Sequence, residues 1–390
     1  MSKRVMVLYG GVSTEHEVAI ISALQVMSAL KEAGHEVVPV YISKKGEWFW
    51  GDERFLKPEF YKNLNEIRTL GKKVEMGAGS GGKILMKKMA WWQETDKKID
   101  VVFPVFHGKN GEDGAVQGWL NLVNLPYVGC PLLASAVAMD KSISKMAATS
   151  IGLRVAEEVL VVKSDWERDR KVILEKIKKL GKSVFVKPSG GGSTIAVGRA
   201  DNQKDTERLL EVALVYDDRV VVEKEIERPI EVNISILGNN PYEVSITEQP
   251  IASGKVLSFE DKYVRGSKGG KSQGMAGSQR LMPAGVSEKI IIEIEEAAKS
   301  FFATIGGRGI ARIDFMVDKG GVVYFNEINP MPGSIAFYLW EKRGVKIGDL
   351  VDRLVNLAIE DWLGRQKLVT TFESNILAGY AGSSGTKGKI

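Results

Sequence analysis

The stretch from Arg312 to Gly333, RIDFMVDKGGVVYFNEINPMPG, constrains this chain more tightly than any other. It reads as two strands joined by a tight Asp318-Lys319-Gly320-Gly321 turn, a composition that closes a hairpin. Side chains alternate between the faces of a strand. Glu327 and Asn329, two apart, therefore share a face of the second strand, and Asp314 is expected at the end of the first. Two carboxylates and an amide oxygen thus gather at the mouth of a hairpin. Hard oxygen donors of this kind suit Mg²⁺, which is typically held by one or two carboxylates together with substrate phosphates. Taken alone, the stretch is equally readable as a charged hairpin face.

A second cluster upstream favours the ligand-binding reading. Ser183 to Val197 reads SVFVKPSGGGSTIAV. A β-branched strand ends in Lys187-Pro188, then come Gly190-Gly191-Gly192, Ser193-Thr194 and another strand. Glycines let backbone N–H groups approach phosphate oxygens closely, and a lysine adds a point charge. The Walker pattern G-x-x-x-x-G-K-[ST] does not occur in the sequence. The element is instead strand, glycine loop, strand. A further apolar strand, Val220-Val221-Val222, runs into Glu223-Lys224-Glu225-Ile226. A flexible surface hairpin would explain the glycines, but not the lysine, the hydroxyls and the downstream carboxylates together.

Upstream of these clusters, strand and helix alternate. Val5–Tyr9, Val37–Ile42 and Val101–Phe106 read as strands, and Glu17–Ala33 as an amphipathic helix stopped at Gly34. This predicts a doubly wound parallel sheet, which places ligands at the carboxyl ends of its strands. Glu15 and His107 fall just past such ends. Residues 49–97 look irregular, a tryptophan-bearing inserted hairpin region with a glycine-rich break at 77–82. The segment from Phe259 to Gln279 is too glycine-rich and polar to pack as an element; such long loops are usually lids or binding loops. The tail from Gly379 is low in complexity and expected to be disordered.

Bulk composition excludes several classes. With 390 residues, 44% hydrophobic and 26% charged, the chain can build two or three cores. Its net charge of +5 is mild, and the basic residues are scattered, without the aromatic-interleaved stripe of a nucleic-acid surface. A single cysteine, Cys130, rules out an internal disulfide and reads as a small packing residue. The amino end lacks a signal-peptide pattern, and no apolar run reaches membrane-spanning length. A cytoplasmic enzyme is the expectation.

Four blocks, in order, carry a resemblance that covers the chain from Arg4 to about Gly364. They are GGVSTEHEVAIISA from Gly10, Phe106-His-Gly-Lys-Asn-Gly-Glu-Asp-Gly114, Met139-Asp140-Lys141, and Asn326-Glu-Ile-Asn-Pro-Met-Pro-Gly333. Together they resemble the ATP-grasp superfamily and, within it, the D-alanine–D-alanine ligases. The resemblance implies an α/β ATP-grasp fold of three domains. Residues 1–128 would form the N-terminal substrate-binding α/β domain. Residues 129–222 would form the small central α+β subdomain with the phosphate loop. Residues 223–367 would form the larger C-terminal α+β sheet subdomain with the metal hairpin and a lid at 259–279, followed by a tail at 368–390.

The resemblance also implies a reaction, the joining of two D-alanines through an acyl phosphate with ATP as phosphoryl donor, for peptidoglycan synthesis. Positioning and charge neutralisation matter more than covalent catalysis in such a transfer. By the resemblance, Asp314, Glu327 and Asn329 hold Mg²⁺, two ions being expected and Mn²⁺ able to substitute. Lys141 and Lys187 contact the phosphates, Lys262 reaches the γ-phosphate from the lid, and Ser193 belongs to the phosphate loop. Glu223, Lys224 and Ile226 line the adenine slot. Glu231 takes the ribose, although an extra residue near Arg228-Pro229 loosens that assignment.

For the amino acids, Glu15 binds the first ammonium with His107 nearby, and Val18 is carried over as a substrate-binding residue. Ser193 and Tyr263 complete a network with Glu15. The Arg312 guanidinium and the Gly333 N–H form the oxyanion site. The second substrate's carboxylate goes to Ser334 or Tyr338, because the segment between Gly333 and Trp340 is short. Ser334 is favoured, with helix capping as its bland alternative. Capping is likewise the bland reading of Glu15, a turn that of His107 and packing that of Tyr263. A homodimer is expected. The alternatives are a related ligase with a different second amino acid or hydroxy acid, and a non-catalytic nucleotide-binding scaffold.

Overall fold

The computed structural model describes residues 2–78, 84–88, 94–95, 98–191, 196–251 and 280–375. Three sheets organise them. The first runs in the order β6-β5-β4-β3-β2-β1-β7. Its strands are β1 (Arg4–Gly10), β2 (Glu36–Ile42), β3 (Trp48–Trp50), β4 (Lys72–Ala78), β5 (Ile84–Lys88), β6 (Glu94–Thr95) and β7 (Val101–Val105). Only β2-β1-β7 is parallel. From β3 outward the pairing is antiparallel. The expected parallel sheet is the β2-β1-β7 core, and the region at 49–97, expected as an inserted hairpin region, adds antiparallel outer strands that make the whole sheet mixed. The reason is local: β2 and β3 are joined by a turn in which Ser43 N donates to Glu47 O at 2.9 Å. A parallel partner would need a crossover of a dozen residues or more.

Alternation along β1 sends Val5, Val7 and Tyr9 to one core, with Ala23, Val26 and Leu30 of the helix His16–Glu32. Met6 and Leu8 go to the other, with Val116 and Leu120. Both faces are therefore covered, as a central parallel sheet requires.

The second sheet has the order β10-β9-β11-β8. It comprises β8 (Glu158–Val162), β9 (Val184–Pro188), β10 (Gly198–Ala200) and β11 (Arg219–Lys224). Val161, Val184, Val186, Val220 and Val222 pack against Ile173, Ile177, Leu210 and Ala213 of two helices. The alternate residues Glu158, Lys187 and Glu223 consequently lie on the opposite face.

The third sheet, β14-β13-β12-β15-β16, is antiparallel throughout. Its strands are β12 (Ile230–Leu237), β13 (Glu243–Pro250), β14 (Arg280–Leu281), β15 (Ile310–Val317) and β16 (Val323–Asn329). One face is apolar: Val232, Ile234, Ala311, Ile313 and Phe315 pack on Ala298, Phe301 and Phe302 of the helix Glu288–Thr304. Cys130, Ala134, Ala138 and Ala148 join the same cluster, so the helices Leu132–Met139 and Lys141–Ser150 lean on this sheet. Cys130 is a packing residue as expected, its thiol pushed up to about 12 by burial. The chain then returns to the first core through Ile335, Trp340 and the helix Ile347–Gln366. Trp340 Nε1 donates to Ser235 Oγ at 2.9 Å, tying that return to β12.

Candidate active site

The polar face of the third sheet is built by register. Asn233 pairs with Glu248 on one side and Asp314 on the other, and Asp314 pairs with Glu327. Next to that row, Arg312 pairs with Asn329 and Ser235. Paired residues share a face, so Asp314, Glu327, Asn329 and Arg312 meet there, as the hairpin pattern predicts. One expectation is corrected. Asp314 is not at the end of its strand but inside it, because β15 continues to Val317 before the turn. There Asp318 Oδ1 accepts from Gly320 N at 2.8 Å and Val322 N at 2.9 Å, which fixes the turn beyond Val317.

Asp314 is buried. Its carboxylate receives a two-pronged bond from Arg312, Nε to Oδ1 and NH2 to Oδ2, each at 2.7 Å. Asn329 Nδ2 donates to Oδ2 at 3.3 Å. Burial pushes the Arg312 guanidinium down, but the Asp314 charge outweighs it and holds the pKa well above its ordinary value. Glu327 pairs with Lys141 Nζ at 3.4 Å. Two carboxylates and an amide on one face are the donor set a hard dication takes. Among the described residues there is no group of three or more His, Cys, Asp or Glu that could hold a metal, and the third oxygen of this set belongs to an amide, Asn329.

Across from this row lies the charged face of the second sheet. Lys187 Nζ donates to Glu223 Oε2 at 2.7 Å. Lys145 Nζ contacts Glu223 Oε1 and lies 3.0 Å from Glu158 Oε2. Burial raises the Glu223 carboxyl, but the two lysines dominate and bring it to about 2. Burial lowers Lys187, yet Glu223 holds it above its ordinary value, with Glu327 and Glu231 adding to the effect. Lys187, Glu223, Glu231 and the hairpin carboxylate Glu327 thus share one electrostatic neighbourhood. Lys141 Nζ also donates to the carbonyl of Gly191, and Lys141 N to Ser189 O at 3.0 Å. Lys224 and Ile226 line a cavity of about 320 Å³ with Val155, Glu157, Asp318 and Tyr324.

The third wall comes from the first sheet. Glu15 stands at the start of the helix His16–Glu32 and is 5% exposed, but its side chain makes no capping bond. The capping alternative is therefore not realised. His107, buried after β7, has Nε2 3.0 Å from Ser22 Oγ and Nδ1 3.9 Å from Glu112 Oε1. Burial lowers its pKa, but Glu112 outweighs this and raises it, with Glu15 adding and Arg312 opposing. Glu15 and Arg312 thus both lie near enough to His107 to act on its charge. The close packing needs Gly108, whose φ is +83° and where a Cβ would sit 2.6 Å from Ser13 Oγ. Val18 is buried one helical turn before Ser22, on the same face.

After Gly333 the backbone makes a turn that the sequence did not announce. Ser334, Ile335 and Ala336 have φ of 53°, 48° and 50°, three non-glycine residues in the left-handed region. Such residues cost of order 1–3 kcal/mol each and persist where surroundings fix them. Here Ser22 Oγ accepts from Ser334 N at 3.1 Å, and Ile335 N donates to Pro332 O at 2.8 Å. Ser334 does not cap the helix Phe337–Glu341, whose N-terminal flank is Ala336. Tyr338 is buried with its hydroxyl donating to Glu248 Oε1 at 2.8 Å, under the Arg280 guanidinium.

Ser193, Lys262 and Tyr263, the lid at 259–279 and the end of the tail lie outside the described residues. Sequence reasoning gave no role to Ser22, Glu112, Lys145, Glu248 or Arg280. Glu112 sits inside the quoted His107–Gly114 block, and Lys145 follows Lys141 by one helical turn. Both could have been weighed. Ser22 offers only its spacing from Val18, and Glu248 and Arg280 offer no local signal.

Two sheets facing each other across paired lysines and carboxylates, with an acidic hairpin on one of them, define an ATP-grasp ligase fold. Comparison with known proteins narrows the class. The family model "D-ala D-ala ligase N-terminus" matches residues 4–130, and "D-ala D-ala ligase C-terminus" matches residues 147–356. The D-alanine–D-alanine ligase of Geobacillus thermodenitrificans (strain NG80-2) is 33% identical over 378 residues, covering 96% of this chain and 100% of the relative. The solved D-alanine–D-alanine ligase of Coxiella burnetii superposes with a TM-score of 0.77 at 28% identity, covering 94% of this chain and 96% of that one. The VanG D-Ala:D-Ser ligase of Enterococcus faecalis gives 0.76 at 26% identity, covering 92% and 100%. The chain belongs to the D-alanine–D-alanine ligase family.

Proposed function

We propose that this protein joins two D-alanines, using ATP to activate the first as an acyl phosphate and releasing ADP and phosphate. The observation that carries the reading is the Arg312–Asp314–Glu327 row with Lys141 and Lys187 set around it. This is a phosphoryl-transfer site assembled beside a carboxylate-binding wall. ATP use follows from the family; the individual roles are our reading. Lys141 and Lys187 bind nucleotide phosphates, with Ser193 and Lys262 alongside. Glu223, Lys224 and Ile226 take the adenine, and Glu231 the ribose. Asp314, Glu327 and Asn329 would hold Mg²⁺, which would supply charge neutralisation for the phosphates. Arg312 and Lys141 pair with the two carboxylates.

Glu15 receives the first ammonium, with His107, Val18 and Tyr263 shaping that pocket. Arg312 and the Gly333 N–H face the developing oxyanion. Ser334, rather than Tyr338, takes the second carboxylate, because the Tyr338 hydroxyl is already committed to Glu248. None of the described helices is long and apolar enough to cross a membrane. A cytoplasmic homodimer feeding peptidoglycan synthesis fits the reading, with no nucleic-acid partner.

ADP release is to be measured with D-alanine alone, then with D-alanine plus D-serine or D-lactate, with the products identified by mass. D-alanyl-D-alanine as the main product supports the proposal. A mixed dipeptide or depsipeptide as the main product would overturn the second-substrate assignment. No amino-acid-dependent ADP release would overturn the activity.

A further inference from the structure

Lys145 is a buried cation of the nucleotide wall to which the reaction gives no task. It sits on the helix Lys141–Ser150 with its side chain 2% exposed and its ammonium engaged by two carboxylates. Its ammonium bridges Glu158 and Glu223. Glu223 also accepts from Lys187 on its other oxygen. One buried carboxylate thus carries two cations, one per oxygen.

The two cations differ in what ligand binding asks of them. Lys187 stands at the mouth of the glycine segment, and the proposed function gives it a phosphate of ATP. A lysine carries one positive charge, and a phosphate that claims it weakens the compensation left for Glu223. A buried carboxylate that loses its counter-charge is strongly destabilised. Glu158 cannot help, being an acid itself whose carboxyl is pushed up by burial. Only a second cation on Glu223 keeps the carboxylate ionised and oriented when a phosphate claims Lys187.

We infer that Lys145 is a positioning residue for nucleotide binding. It is the resident counter-cation of Glu223, which frees Lys187 to exchange its carboxylate partner for a phosphate. The inference rests on the nucleotide reading of this wall. It predicts that Lys145 matters more with nucleotide bound than without.

The test is the thermal shift of the full chain on adding ADP with Mg²⁺, together with KM for ATP and for D-alanine. In Lys145→Met the ADP affinity should weaken by about tenfold or more, the scale of one charge-assisted hydrogen bond to a buried carboxylate. KM for ATP should rise in step, while KM for D-alanine stays within about twofold. In a Glu223→Gln background the same substitution should change ADP affinity little, because the charge it serves is gone. Where Lys145→Met does not fold, Lys145→Gln, which keeps a donor and removes the charge, carries the same expectation. An unchanged ADP shift in the variant, or an equal loss in both backgrounds, overturns the inference. No ADP shift in the unsubstituted protein would instead overturn the nucleotide reading.

Discussion

Replacing Arg312 by Met separates two jobs that the structure gives to one side chain. The guanidinium is the main partner of Asp314, through two bonds of 2.7 Å between side chains only 7% and 3% exposed. Asn329 would remain at 3.3 Å, a neutral and longer donor. Removing one member of a buried ion pair costs about 3–5 kcal/mol, because the survivor stays charged and dry. At about 2–4 °C per kcal/mol for units of this size, the midpoint of thermal unfolding should fall by roughly 6–20 °C. With Mg²⁺ and ADP the dication would replace the lost cation, so the deficit should shrink. Catalysis should not recover, since losing one oxyanion donor costs about 10²–10³-fold in turnover. Arg312→Lys should fall between, keeping the charge but not the fork. Calorimetry with and without Mg²⁺ and ADP, and turnover at saturating substrates, read both quantities. A deficit that ADP and Mg²⁺ do not narrow would refute Asp314 as a metal ligand. Near-normal turnover would refute the oxyanion role.

Other perturbations test the remaining parts. Glu327→Gln keeps shape and removes a charge; turnover at saturating Mg²⁺ should fall by orders of magnitude while circular dichroism is unchanged, and near-normal turnover would contradict the metal reading. Ser334→Ala should raise KM for the second D-alanine more than for the first; two unchanged KM values would return the role to Tyr338 or to backbone groups. Ser22→Ala removes the hydroxyl that accepts from Ser334 N and meets His107, so KM for the second substrate should rise with KM for ATP unaffected, whereas equal changes in all three would mean general loosening. Glu223 has its folded pKa depressed from 4.5 to about 2, so its stabilisation is present above about 4.5 and lost as pH falls toward 2. Glu223→Gln should flatten the acid limb of the urea-midpoint profile in that window, and an unchanged limb would show that the pair adds no stability.

The sequence made legible what depends on short-range pattern. Period-two alternation places Glu327 and Asn329 on one face, and the glycine turn closes the hairpin that brings Asp314 opposite Glu327. The same logic separates the two cores of β1. It stopped short where a turn decided direction: the Ser43–Glu47 loop is too short for a crossover and makes β3 antiparallel. It also failed where distant strands meet. Glu248 reaches Tyr338 and Arg280 only because β13 lies between β12 and β14, and no residue near Glu248 signals those partners. The left-handed turn at Ser334–Ala336 has no glycine to advertise it; the contact with Ser22, 312 positions away, helps hold it.

The charge state of the site is the part least visible in a one-dimensional reading. A list of acids and bases suggests a cluster waiting for a ligand. The folded chain instead pairs Arg312 with Asp314, Lys141 with Glu327, and Lys187 and Lys145 with Glu223. These are the groups that the proposed function assigns to phosphate, metal and acyl oxygen, together with the one it leaves over. Buried unpaired charges would cost several kcal/mol each, so a site of this composition finds its counter-charges within the chain. On the proposed roles, binding would be an exchange of partners: phosphates would take the lysines, the carboxylates would hold the metal, and Arg312 would turn to the oxyanion. Such an exchange demands that nucleotide and metal enter together, because either alone would leave charges of one sign uncompensated. ADP affinity should therefore strengthen with Mg²⁺, and Mg²⁺ affinity with ADP, by the same factor. Titration calorimetry in both orders measures the two factors, and independent binding of the two ligands would rule the exchange out.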